Sequence, residues 1–205
     1  MMVTASDDQT IRVWTTDQFM KHSEPSNFYK SRNNWASPNK QKIRRASFTE
    51  SNKIAACTPT TLFFLDTECL KSVTGTIHFD SKKDGIITDL ITSPSIEEKG
   101  TIIISTSFGH IIGYDPRARK EVFKMSHILG DGFITSICSD KRQRWVTCGT
   151  SRGWISVFDL RFNLKCQRFR VSDLQIKVNH FSKVKFLFKK MGLQDMYELT
   201  WEKTR

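Results

Sequence analysis

The feature that most constrains the fold of this chain is an internal repeat with a period of 44 to 51 residues. Ile43, Ile87 and Ile134 each open a similar apolar run, and they lie 44 and 47 residues apart. A second series runs in phase with the first: SDDQTIRVW (6–14), CTPTTLFFL (57–65), TSFGHIIGY (106–114) and TSRGWISVF (150–158). Two markers with nearly the same period indicate repeated supersecondary units.

Each repeat has the pattern of a short antiparallel sheet. An apolar run, a tight polar or glycine turn and a second apolar run predict a hairpin, because β-branched and aromatic residues favour strands. Gly109 and Gly153 occupy the turn position where a positive φ is expected. One further strand is expected before each hairpin and one after it. Four strands in each repeat are typical of a β-propeller blade.

The sequence therefore predicts an all-β partial β-propeller of about three and a half four-stranded blades with a divergent basic C-terminal tail. The predicted segments are a partial blade at 1–16, an inter-blade loop at 17–42, blades at 41–78, 84–127 and 131–171, and a tail at 172–205 that is helical or disordered. Because propellers close with about 4–8 blades, we expect these residues to be a fragment of a longer propeller.

Specific side chains mark the end of the third strand in each repeat. Three of the four strands end in a large residue followed directly by aspartate, and we interpret both as structural: the aspartates recur once in each repeat and are expected to cap their own turns. The markers are Trp14, Leu65, Asp66, Tyr114, Asp115, Phe158 and Asp159. Catalysis by carboxylates would require two of them to converge in one cleft.

An aromatic–Asp pair that closes the third strand of a four-stranded repeat resembles the WD-repeat family. The string DGFITSICSDKRQRWVTCGTSRGWISVFDLRFNL (131–164) further resembles a blade of the regulatory, protein-kinase-like subunits of class III phosphatidylinositol 3-kinase complexes. The resemblance covers roughly residues 1–165. It implies a scaffold that binds protein subunits, namely the lipid kinase and beclin-type coiled-coil subunits. It also implies a cytoplasmic location, with indirect association with endosomal and autophagic membranes.

No catalytic, cofactor-binding or metal-binding residues are predicted. The kinase motifs of the family's N-terminal domain have no counterpart in this sequence, and the five cysteines form no Cys-x-x-Cys pair. Cys57, Cys138 and Cys148 are expected to be buried, unreactive thiols.

Two other functions are left open by the sequence. A WD-repeat adaptor of a different complex would share every repeat feature. A nucleic-acid-binding protein would use the net charge of +11, with Phe28, Tyr29 and Trp35 of the long loop stacking on bases. For the loop, anchoring onto the propeller or onto a partner protein is favoured over base stacking. The long loop and the basic rims at 117–120 and 141–144 are the expected contact surfaces.

Overall fold

The computed structural model describes residues 1–15, 31–49, 53–70, 73–92, 101–140 and 144–171. Within those ranges the regular structure is β-strand, apart from a single 3-10 turn at Leu129–Asp131. The predicted all-β class is confirmed.

The strands form four antiparallel sheets, and in each sheet the strands follow one another in chain order. The first sheet contains β1 (Met2–Ala5), β2 (Thr10–Trp14) and β3 (Asn33–Ala36). The second contains β4 (Arg45–Phe48), β5 (Lys53–Cys57), β6 (Thr61–Asp66) and β7 (Val73–His78). The third contains β8 (Ile87–Thr92), β9 (Ile102–Thr106), β10 (His110–Asp115) and β11 (Lys120–Ser126). The fourth contains β12 (Ile134–Ser139), β13 (Trp145–Thr150), β14 (Trp154–Asp159) and β15 (Leu164–Arg170).

The strand β3 corrects the prediction of an uninterrupted loop at 17–42. Trp35 pairs with Ile11 across β2 and β3, and its ring lies 5.1 Å from that of Phe63 in the second sheet. Trp35 is therefore part of the core, which agrees with anchoring of this segment onto the propeller and rules out the alternative in which Trp35 stacks on bases. Phe28 and Tyr29 lie outside the described residues. The first sheet thus has three strands in the part of the chain described here, where the sequence had indicated half a blade.

Neighbouring sheets pack face to face, and this explains why the central strands are buried, and mainly apolar, on both faces. Alternate side chains of a strand point to opposite faces of its sheet. Ile54 and Ala56 of β5 enter the core between the first and second sheets, whereas Ala55 and Cys57 enter the core between the second and third. A sheet with both faces buried has no polar side, so its strands lose the apolar–polar alternation of a half-exposed sheet.

The first strands of successive sheets lie side by side: β8 packs against β4 on one side and β12 on the other. Asp89 of β8 connects all three. One carboxylate oxygen accepts from the Arg45 guanidinium of β4 at 2.6 Å, and the other accepts from the backbone N–H of Ile137 in β12 at 3.0 Å. Asp89 is 2% exposed. The sheets therefore meet around a common axis, as the blades of a propeller do.

Candidate interaction surface

The large residues that close the third strands occupy equivalent places in their sheets. Leu65, Tyr114 and Phe158 each pack into the core shared with the preceding sheet, Leu65 and Phe158 fully buried and Tyr114 at the edge of its cluster. The ring of Tyr114 stacks on Phe64 at 6.3 Å. Trp14, in the first sheet, is half-buried and donates its indole N–H to the Thr4 hydroxyl at 2.9 Å. Leu65, Tyr114 and Phe158 thus serve packing between sheets, whereas Trp14 is held by a hydrogen bond within its own sheet.

The aspartates that follow these residues hold the turn to the fourth strand. Asp66 accepts a hydrogen bond from the N–H of Glu68 at 2.8 Å, Asp115 from Arg117 at 2.8 Å, and Asp159 from Arg161 at 2.9 Å. An aspartate that bonds the backbone two residues ahead is a common turn device. These aspartates thus lie in separate turns, one in each sheet.

In the fourth sheet the turn is reinforced by an ion pair. The Arg161 guanidinium binds both carboxylate oxygens of Asp159, at 3.0 and 2.6 Å, and lies over the ring of Trp145. The hydrogen bond from Arg161 lowers the pKa of Asp159, which keeps this carboxylate ionised. A general acid needs the opposite shift.

The tight turns between second and third strands also repeat. Gly109 and Gly153 have φ values of 78° and 77°, and Gln9 takes the same position in the first sheet with φ 70°. The carbonyl groups of Gln9, Gly109 and Gly153 accept a hydrogen bond from the residue that follows the fourth strand of the same blade, at 2.9, 2.7 and 2.9 Å. Each of these turns is therefore linked to the residue at which the chain leaves the fourth strand of the blade.

A cysteine–histidine pair lies in the core, and its electrostatics disfavour the thiolate form that a nucleophile needs. The Cys148 sulfur is 4.0 Å from His127 Nδ1. Burial raises the pKa of Cys148 to about 12 and lowers that of His127 to about 4. A catalytic pair of this type needs the thiolate, so it needs a depressed thiol pKa. Burial likewise raises the pKa values of Cys57 and Cys138 to about 12.

The described residues contain no cluster of three or more potential metal-ligating side chains. No helix in the described part of the chain is long and apolar enough to cross a bilayer.

The two connections that lead into the third and fourth sheets share a common framework. Each contains an Asp-Gly pair in which the aspartate binds a cation on the fourth strand of the following sheet: Asp84 binds Lys124 at 2.9 Å, and Asp131 binds Arg168 at 3.0 Å. Each glycine has a positive φ and lies against the turn after the second strand of that same sheet.

The exposed side chains of the two connections differ in chemistry. The first presents Ser81, Lys82 and Lys83 to solvent. The second presents three large apolar side chains that we call the apolar patch: Ile128 (48% exposed), Leu129 (57%) and Phe133 (50%). Phe108 (43% exposed), in the turn before β10, lies against Gly85 of the first connection. A Cβ built at Gly109, next to Phe108, would lie 3.3 Å from a methyl group of Leu129, so the turn and the connection are in contact.

Clustered exposed apolar residues mark interaction sites on soluble proteins. The sequence did not predict the apolar patch. The signal was present in the alignment of the two Asp-Gly pairs, where SKK precedes the first pair and ILG the second.

The contact surfaces that the sequence did predict are only partly described. The rim at 117–120 lies in the turn between β10 and β11, at the opposite end of the sheets from the apolar patch. Residues 141–143, most of the long loop and the tail at 172–205 lie outside the described residues.

Comparison with known proteins finds similarity over part of the chain. A probable serine/threonine-protein kinase vps15 of Dictyostelium discoideum is 30% identical over 82 residues, which is 40% of this chain and 4% of that protein. A putative serine/threonine-protein kinase VPS15 of Komagataella pastoris is 27% identical over 81 residues, or 40% of this chain and 6% of that protein. The serine/threonine-protein kinase VPS15 of Saccharomyces cerevisiae is 29% identical over 77 residues, or 38% and 5%. No protein-family model matches.

The aligned segments are therefore a small part of those relatives, and a distant similarity to VPS15 proteins is what the comparison supports.

Proposed function

We propose that this chain is a non-catalytic scaffold segment that binds protein subunits, and that it belongs to the regulatory subunit of a class III phosphatidylinositol 3-kinase complex. The observation that carries the proposal is the apolar patch, presented by a rigid array of sheets. The partial similarity to VPS15 proteins and the resemblance of residues 131–164 support the choice of complex.

The described sheets act in this proposal as a platform and perform no chemistry. Their aspartates are engaged in turns, their central thiols carry raised pKa values, and the sequence contains no kinase motif. The relatives are named as protein kinases, and we assign any such activity to parts of those proteins outside the aligned segment.

The chemistry of the apolar patch favours a protein partner over nucleic acid. Three cations at this end of the sheets are paired within the fold: Lys124 with Asp84, Arg168 with Asp131, and Arg152 with the Gly130 carbonyl at 2.8 Å. Burial of apolar side chains, rather than release of counterions from phosphates, would then drive association. We propose the accessory coiled-coil and lipid-kinase subunits as the partners, and association with endosomal and autophagic membranes through them.

The experiment compares two phenylalanines at opposite ends of the sheets. The full-length gene product is tagged and purified from its own cells in three forms: unchanged, with Phe133→Ser in the apolar patch, and with Phe162→Ser as the matched control. Phe162 is 67% exposed and lies in the turn between β14 and β15. We expect Phe133→Ser to lower recovery of the lipid kinase and beclin-type subunits several-fold, and Phe162→Ser to leave recovery unchanged.

Three results would contradict the proposal in different ways. Recovery of other proteins without a lipid kinase would indicate a WD-repeat adaptor of a different complex. Retention of an oligonucleotide at physiological salt, with steep loss as salt rises, would indicate nucleic-acid binding. Equal recovery of the subunits with the two substitutions would show that the apolar patch is not part of the interface.

A further inference from the structure

A basic pocket of about 880 Å³ opens at the end of the axis where the first strands begin. Its wall contains residues from all three of those strands, including Arg45 of β4, Asp89 of β8 and Ser136 of β12. The segment just before β4 completes it. The pocket shares no residue with the apolar patch, and the inference below does not rest on the proposed function.

The charge of the pocket is unbalanced. Four cations line it, Lys40, Lys42, Arg44 and Arg45, against the two carboxylates of Asp7 and Asp89. Asp89 is fully used inside the fold, because its oxygens accept from Arg45, from Ile137 and from its neighbour Leu90. Asp7 pairs with Lys42 at 2.9 Å, but both side chains are more than two-thirds exposed, and such a pair is weak and open to exchange.

The chain positions two of these cations side by side. Ile43 is 4% exposed and anchors the segment in the core, whereas Lys42 and Arg44 on either side of it are exposed. Where the chain is extended, residues two apart lie on one face at about 6–7 Å. The alternation of exposed Lys42, buried Ile43 and exposed Arg44 is the pattern of an extended chain, so Lys42 and Arg44 have the spacing of alternate side chains in an extended peptide.

The backbone beneath these cations is held in place. The Arg44 N–H donates to the Cys57 carbonyl at 2.8 Å, and the Gln41 side-chain carbonyl accepts from the Thr60 hydroxyl at 3.1 Å. A ligand would thus meet a site that is already ordered, which lowers the entropic cost of binding.

We propose that this pocket binds an acidic peptide segment of a partner protein in an extended conformation, with its carboxylates on Lys42 and Arg44. A phosphate group can also bridge two such side chains, so inorganic phosphate is included as a competitor in the test below. Single-stranded nucleic acid usually requires aromatic platforms on which bases stack, and none of the residues lining the pocket is aromatic.

The test measures binding of a fluorescein-labelled peptide of alternating Glu and Ser to the 205-residue chain by fluorescence anisotropy. The variant Lys42→Gln/Arg44→Gln removes two exposed charges from the pocket. The matched control, Lys82→Gln/Lys83→Gln, removes two exposed charges from the connection between β7 and β8, away from it. Thermal unfolding of both variants verifies that they fold as the unchanged chain does.

We expect the pocket variant to bind the peptide about tenfold more weakly and the control to bind within about twofold of the unchanged chain. A Gln-Ser peptide of equal length should not bind. Phe133→Ser, which alters only the apolar patch, should bind the Glu-Ser peptide normally, so failure of the proposed function and failure of this site are distinguishable.

Equal weakening in both variants would overturn the proposal, because it would show attraction to the net charge alone. Absence of binding to the Glu-Ser peptide would also overturn it. Displacement of the peptide by inorganic phosphate, or by an oligonucleotide at lower concentration than by unlabelled peptide, would reassign the pocket to that ligand.

Discussion

The connections from β7 to β8 and from β11 to β12 share the same backbone anchors but expose side chains of different chemistry. Both place an aspartate on a cation of the next sheet and a glycine against the neighbouring turn. The first then exposes serine and lysine, whereas the second exposes isoleucine, leucine and phenylalanine. The Asp-Gly pairs of the repeat thus determine the course of the backbone, whereas the other residues of each connection determine its exposed surface. The predictions below compare equivalent substitutions in the two connections to test this distinction.

The largest expected effect comes from the glycines. A Cβ at Gly85 would lie 2.7 Å from Ser107 Oγ and 2.9 Å from the Phe108 nitrogen; at Gly132 it would lie 2.6 Å from Ser151 Oγ and 3.0 Å from the Arg152 nitrogen. Both glycines also have positive φ values. We expect Gly85→Ala and Gly132→Ala each to lower the free energy of unfolding by about 2–3 kcal/mol in urea titrations.

Gly130 provides the control for this pair. A Cβ there would be 3.8 Å from the nearest atom, a side-chain methyl group of Ile128, and its φ is not positive. We expect Gly130→Ala to change stability by less than about 0.5 kcal/mol. A strong effect at only one of Gly85 and Gly132 would contradict the shared framework.

A pH dependence should distinguish the two connections. His127 begins the second connection where Phe79 begins the first; their N–H groups donate to the Gly109 and Thr60 carbonyls, respectively. Burial, followed by nearby Lys165, lowers the pKa of His127 to about 4 in the fold. As the pH falls, His127 therefore takes up a proton in the unfolded chain before it does so in the folded chain. The contribution of neutral His127 to the free energy of unfolding is therefore complete above about pH 6.5 and is lost as the pH falls towards 4.

The unchanged protein should thus lose about 1–2 kcal/mol of stability between pH 7 and pH 5 through this group. His127→Phe, which copies the residue of the first connection, should remove that part of the pH dependence. The slopes of unfolding free energy against pH are compared, so any constant packing cost of the substitution cancels. Identical slopes would show that His127 is protonated equally well in both states.

The aspartates should give the smallest effect. Asp84→Asn and Asp131→Asn keep the side-chain shape and remove the charge that binds Lys124 and Arg168, which are partly exposed. We expect a loss of about 1 kcal/mol for each. Asp7→Asn breaks a pair with a side chain that is 67% exposed and should cost nearly nothing in the same denaturation assay. Equal losses at all three positions would contradict a special role for the Asp-Gly pairs.

The repeat, the strands and the turn aspartates could be predicted because each depends on residues close together in the chain. β3 could not, because Asn33-Asn34-Trp35-Ala36 has one large apolar residue and shows no alternation. What makes it a strand is tertiary: Trp35 pairs with Ile11 and packs on Phe63.

The apolar patch and the role of Asp89 were also beyond the sequence, for a different reason. An apolar residue in a strand-rich chain is normally expected in the core, and only the fold shows that Leu129 and Phe133 face solvent. Asp89 binds partners 44 and 48 residues away, in two other sheets. Such a contact becomes visible only when the sheets are placed around their axis.

The central claim is that the first strands of successive sheets lie side by side around that axis. A double-mutant cycle on Arg45→Gln and Asp89→Asn tests it most directly, because these residues touch only if β4 and β8 are neighbours. From the 2.6 Å contact to a buried carboxylate we expect a coupling energy of about 1 kcal/mol or more in urea denaturation. Additive effects of the two substitutions, with a coupling energy near zero, would contradict the arrangement.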